Sequence, residues 1–162
     1  MKYSSLLIAA VLLCGCTYSF RGQTAGNIKT ISIPTFENET AEFGIAERVT
    51  DELVRGFQRD GTLRITTTDQ ADAVLVGRIT RIEDLPYTAR GGEAVTVEEY
   101  RFAISCAIDL VNSQTQEPIW SQGFSSWSIY AYDGNPENRD LAIEDAVGKL
   151  QQDLLNRIVG SW

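Results

Sequence analysis

Cys16 is the residue whose neighbours equip it for one particular reaction. It follows Leu13-Cys14-Gly15 and precedes Thr17, at the end of an apolar run in a chain of 162 residues. Lys2 supplies a positive charge ahead of the run, and residues 6–13 supply its apolar centre. This is the layout of a secretory signal peptide. A small residue, Gly15, directly before a cysteine is the pattern of a bacterial lipoprotein cleavage site. There the thiol is acylated, the preceding peptide bond is cut, and the cysteine becomes the new N-terminus. The run is too short to cross a bilayer as a helix, which needs about 20 residues. Cys14 competes for the role, but Leu13 is too large for the position before the cut. An ordinary signal peptide that happens to contain cysteine is the plainer alternative. The expectation is a signal segment over residues 1–15, lipid on Cys16 and a polar tether to residue 27. Several acyl chains on one cysteine make such an anchor stable, where a single chain holds weakly. Thr17, in place of Asp, favours sorting to the outer membrane in bacteria similar to the enterobacteria.

Other reactive chemistry is scarce. The chain has no histidine, so His-based triads and His metal sites are excluded and the commonest general base is missing. Of three cysteines, Cys14 leaves with the signal and Cys16 takes lipid, so Cys106 has no partner for a disulfide or a zinc site. Glu98 and Glu99 are strand neighbours and point to opposite faces, which prevents a paired acid–base site. Glu144 and Asp145 belong to a helix opening, where negative charge is favourable. Gly91-Gly92 lacks the rest of a phosphate-binding loop. The reading is a non-enzyme without metal or cofactor. A formal net charge of −8 argues against nucleic acid as a partner.

The elements that carry these residues follow from hydrophobic period. Residues 28–33 alternate and predict a first strand, stopped by Pro34. A loop over residues 34–40 leads to Thr40, a plausible N-cap. Ile45, Val49, Leu53 and Phe57 recur every four residues and predict a helix over 41–59, with Gly61 as its stop. Residues 63–67 and 72–83 predict a second and a third strand joined as a hairpin. Gly77 marks a bulge or a close approach. Residues 85–94, with Pro86, Gly91 and Gly92, predict a long loop. Residues 95–111 predict a fourth strand with Phe102, Ile104, Cys106, Ile108 and Leu110 on one face, which makes Cys106 a core thiol. Residues 118–130 predict a fifth strand whose Trp120, Phe124 and Trp127 default to core packing. Asn135 and Pro136 open a second helix, whose apolar stripe runs from Ile143 to Ile158. Two helices with one stripe each need one sheet face. The expected fold is a single α+β domain over residues 28–162: a two-layer sandwich, with a mixed sheet of four to five strands and both helices on one face. The first two strands, joined by a helix, should be parallel.

At this point a family resemblance emerges. Cys16-Thr17-Tyr18-Ser19-Phe20, a Gly-containing tether, and then residues 29–40 (KTISIPTFENET) resemble the lipopolysaccharide-assembly lipoprotein family, LptE. Residues 71–79 (ADAVLVGRI) do so as well. The order of elements is similar to that family's. Thr17, where many relatives have Gly, is a minor departure. The resemblance implies an outer-membrane lipoprotein that sits within and beneath a large β-barrel, LptD, supports its assembly and helps deliver lipopolysaccharide to the outer leaflet. A compact acidic domain suits a polar barrel lumen. The competing readings are an activator of a peptidoglycan synthase and a structural subunit of another envelope assembly. The activator must reach across the periplasm, and the tether over residues 17–27 spans about 36–40 Å at most.

Following the predicted hairpin places the tether at the same end as residues 85–94 and 131–135. That end offers Tyr87, Arg90, Tyr130 and Tyr132 as candidate ligand-binding residues, with Arg90 the one base in either loop. Arg suits a phosphorylated glycolipid because its fork meets phosphate with two hydrogen bonds.

Overall fold

The computed structural model describes residues 28–90 and 96–160. The expectations for the signal segment, Cys16, the tether and residues 91–95 lie outside those residues. The elements run β1 (Thr30–Ser32), β2 (Glu37–Asn38), α1 (Ile45–Asp60), β3 (Arg64–Ile65), β4 (Ala73–Arg90), β5 (Thr96–Asn112), β6 (Pro118–Ala131) and α2 (Pro136–Gly160). They form one six-stranded mixed sheet and two helices, the expected α+β arrangement with β2 as an added strand. The sheet order is β3-β1-β4-β5-β6, with β2 continuing beside β4 beyond β1.

One pairing differs from expectation. β3 and β4 are not a hairpin: β1 lies between them and runs parallel to both. β3 has only two residues, so residues 66–72 carry the chain past the end of β1 rather than folding back along β3. The bonds from the Thr66 N–H to the Ile31 carbonyl and from the Asp72 N–H to the Thr30 carbonyl fix that path. The consequence is an inversion. β1 starts at the lower end of the sheet, beside Asp72 and the turn after β5, while the β4–β5 hairpin and residues 131–135 lie at the upper end. Residue 28, where the described chain begins, therefore lies at the end opposite Tyr87, Tyr130 and Tyr132, whereas the expectation set the two together.

The predicted loop over residues 85–94 is also shorter than expected, because β4 continues to Arg90. Pro86 stands within the strand, opposite Tyr100, with breaks in register on either side of Thr88. Proline fits there because β4 is an edge above Ile79, and the irregularities absorb its missing donor.

Both helices lie on one face. α1 buries Ile45, Val49, Leu53 and Phe57, and α2 buries Ile143, Val147, Leu150, Leu154 and Ile158. These meet Leu75, Ile79, Phe102, Ile104, Cys106, Ile108 and Leu110 in a single core. Trp120 and Phe124 join it, but Trp127 is 48% exposed. Its odd register puts it on the opposite face of β6 from those two. α1 starts at Ile45, four residues later than Thr40 capping requires. Gly44 at φ 75° makes the turn into the helix, and Thr40 instead closes a small loop with the Asn38 side chain. The end of α1 is as expected: Gly61 at φ 73° donates its N–H to the Phe57 carbonyl. So is the start of α2, where the Asn135 side chain accepts from the Glu137 N–H at 3.1 Å.

Candidate functional site

The upper end gathers aromatic rings at the top of β5 and β6. Tyr130 and Tyr100 are directly opposite in the ladder, and their rings stack with centroids 6.0 Å apart. Tyr132 tilts against Tyr100 at 4.9 Å, and its N–H closes the ladder on the Glu98 carbonyl. Two of the four sequence candidates, Tyr130 and Tyr132, are thus brought together through Tyr100, which the sequence reading passed over. A sharper use of the β5 alternation finds it, since Tyr100 shares the face of Phe102. Tyr87 is 51% exposed at a break in register and shares no ring contact with the other three. Arg90 is the last residue of β4, paired with Thr96.

Beneath the rings lies a base that the sequence reading also missed. Arg139, in the opening turns of α2, forks onto two carboxylates. It reaches Glu42 at 2.7 and 2.9 Å, and Asp84 at 2.8 to 3.3 Å. The Tyr130 hydroxyl donates to the same Asp84 at 2.9 Å. The guanidinium sits 5.4 Å from the Phe102 ring centre. Hydrogen bonds that Arg139 donates to Glu42 raise its pKa further above the usual range, against the cost of burial. Burial pushes the Tyr130 phenol up to about 12, helped by the Asp84 carboxylate. Its sequence signal is its position: a base near a helix N-terminus opposes the helix dipole and calls for a partner. Chemically the cluster is a lock. One guanidinium bridges two carboxylates, so the cluster keeps a net negative charge; it joins α2, the segment before α1 and β4, and it anchors the Tyr130 hydroxyl from below.

The lower end has its own fixed point. One oxygen of Asp72 accepts from the Lys29 N–H at 2.9 Å, the Thr30 N–H at 2.9 Å and the Thr30 hydroxyl at 2.8 Å. The bond from the Lys29 backbone, followed by those from Thr30, holds the carboxyl below the usual carboxylate range. Asp72 thereby pins the first described residues to the sheet. From that level to Tyr87 the chain rises roughly 45 Å along β4.

Among the described residues no element covers the face of the sheet away from the helices. Leu85, Arg101 and Ile129 share one row across it, and Glu83, Ala103 and Trp127 the next. The Nε of Arg101 is buried there without a hydrogen-bond partner. Among the described residues no group of carboxylates and thiols is arranged to hold a metal, and no helix is long and apolar enough to cross a membrane. Burial raises the Cys106 thiol to about 12, which leaves it unreactive.

Comparison with known proteins places this architecture. Solved structures share its fold at low identity. Protein XCC0632 from Xanthomonas campestris is 13% identical with a TM-score of 0.62, over 83% of this chain and 85% of that one. CT253 from Chlamydia trachomatis is 9% identical with a TM-score of 0.57, over 82% and 96%. Lipoprotein B from Nitrosomonas europaea is 13% identical with a TM-score of 0.54, over 88% and 90%. No curated protein matches the chain in sequence. The model of the LptE lipopolysaccharide-assembly family matches residues 28–159, which is nearly all of the described fold. The chain belongs to the LptE lipopolysaccharide-assembly family.

Proposed function

We propose that this protein is an outer-membrane lipoprotein, anchored through lipid on Cys16, that binds a large LptD-like β-barrel, supports its assembly and aids delivery of lipopolysaccharide to the outer leaflet. The observation that carries the reading is the family match across residues 28–159 on a domain whose cluster chemistry is structural. The protein acts by binding, not by turnover. The fold supports this reading with a narrow sheet that has the start of the described chain at one end and a tyrosine-rich tip at the other. Anchor and tip are held apart by β4, so the tip extends away from the lipid into its partner. Tyr87, Arg90, Tyr130 and Tyr132 form the contact end, with Arg90 serving phosphate groups and the tyrosines serving sugar and lumen surfaces. The test is depletion of the chain in its own cell. The expected result is loss of folded barrel from the outer membrane, with newly made lipopolysaccharide retained inside the surface. Normal barrel levels and normal surface lipopolysaccharide contradict the reading.

A further inference from the structure

β6 pairs with β5 on one side, and among the described residues no strand pairs with its other edge. Its backbone groups show which residues face that edge. The Tyr132 N–H turns inward to Glu98. The Trp127 and Ala131 carbonyls turn outward and accept from Lys149 at 3.1 Å and from the Asn138 amide at 3.3 Å. Alternation then directs the N–H and C=O of Ile129, between those two, to the same edge. β6 contains no charged residue, in a chain that is 22% charged. The edge of β4 is guarded differently. β2 and the Glu39 N–H cover it as far as Ile79, and Arg81, Glu83 and Pro86 blunt the rest.

A groove of about 320 Å³ runs beside the β6 edge, between Ile129 and Ala131 on one wall and Asn138, Leu141, Ala142 and Asp145 on the other. Leu141 is 61% exposed on its rim. Asp145 on the α2 wall pairs with Lys149 at 2.6 Å and accepts from the Ser128 hydroxyl at 2.7 Å. An open strand edge flanked by a helix and a groove of mixed lining, with an exposed leucine on its rim, is an arrangement by which domains add an extended peptide to a sheet.

We propose that this groove takes an extended segment of a partner polypeptide as a seventh strand antiparallel to β6, the more stable pairing, with an apolar side chain beside Leu141 and a basic side chain toward Asp145. Lys149 and Asn138 occupy the places of the donors such a strand brings; each also holds a carboxylate, Asp145 at 2.6 Å and Asp133 at 2.8 Å, and must release its β6 carbonyl to admit the strand. The occupant is a bare strand rather than a second copy of this chain. A copy pairing through its own β6 carries its own α2 over a strand about 4.8 Å away, whereas packed helix axes need about 8–10 Å. The proposal goes beyond the lipopolysaccharide-assembly reading and does not rest on it.

The experiment titrates the full chain, in mild detergent, with a short synthetic peptide of alternating Val and Lys. Two further peptides are N-methylated on one or the other set of alternate amides. Saturable binding is expected, lost on methylating one set and kept on methylating the other. Leu141→Asp, at an exposed position that leaves the core intact, should weaken binding about tenfold. No saturable binding, or binding indifferent to both methylations, overturns the proposal. Tighter binding by Leu141→Asp overturns it as well, because that is adsorption by charge alone. Concentration-dependent dimerisation of the chain that Leu141→Asp abolishes would replace the peptide with a second copy.

Discussion

Asp72 shows what a single side chain contributes to this molecule. Its carboxylate is held by the Lys29 and Thr30 amides and the Thr30 hydroxyl, so its folded pKa lies below the unfolded value. A depressed carboxyl pKa adds stability that is fully present above the unfolded pKa, near about 3.9, and lost as pH falls through the folded one. Asp72→Asn should therefore cost about 1 kcal/mol at neutral pH, moderated by solvent screening, and the gap to wild type should close below about pH 4. Thermal unfolding across that range measures it. Arg139 supports a second prediction. Lysine keeps the charge but cannot fork onto Glu42 and Asp84 together, so Arg139→Lys should destabilise by about 1–2 kcal/mol in denaturant unfolding. At this scale the sequence was legible where a local rule decides. Asn135 and Pro136 open a helix and Gly61 ends one because capping depends on nearest neighbours. Arg139 was not legible, since its carboxylates lie 97 and 55 residues away in the chain.

Among the elements, β4 organises the fold, and Gly77 shows how tightly. A Cβ at Gly77 would stand 2.2 Å from the Phe36 ring, so the ring lies directly on the strand and only glycine admits it. The close approach read from the sequence is therefore the correct one of its two alternatives. Phe36 is in turn held by its N–H to the Thr50 hydroxyl, which bonds back to Ala46 and so ties the segment before α1 to α1. Gly77→Ala should cost about 1–3 kcal/mol by overpacking, and Phe36→Leu in the same chain should recover part of it. β5 was read in register from its alternation, and Cys106 tests that register. In a Cys14→Ser, Cys16→Ser background, Cys106 should label slowly in the native protein and quickly in denaturant, because it is 2% exposed. Fast native labelling would mean a slip of one residue. The order of the short strands was harder to read. β1, β2 and β3 have three residues or fewer each, too few for period to say which edge they join. The hairpin assumed between β3 and β4 thus gave way to two parallel pairings, and with it the placement of the tether.

The whole molecule is an acidic, narrow domain with distinct ends. Asp72 fixes Lys29 and Thr30 at one, and the Tyr100, Tyr130 and Tyr132 rings gather at the other. The fold class and the family were both readable from the sequence, since they rest on element order and on motifs strung along the chain. Which end the chain enters was not, because it depended on the strand order. Anchoring is tested by Cys16→Ser, which should leave an unprocessed precursor that fractionates away from the outer membrane. The central claim is the barrel partner. Tagged, lipidated protein is purified from detergent-solubilised outer membranes, and the co-purifying proteins are identified by mass and heat-modifiable migration. The account predicts one large β-barrel in near-equal amount, lost when the tyrosine end is altered by Tyr87→Ala with Arg90→Ala. A penicillin-binding protein in its place, or no stoichiometric barrel at all, would contradict it.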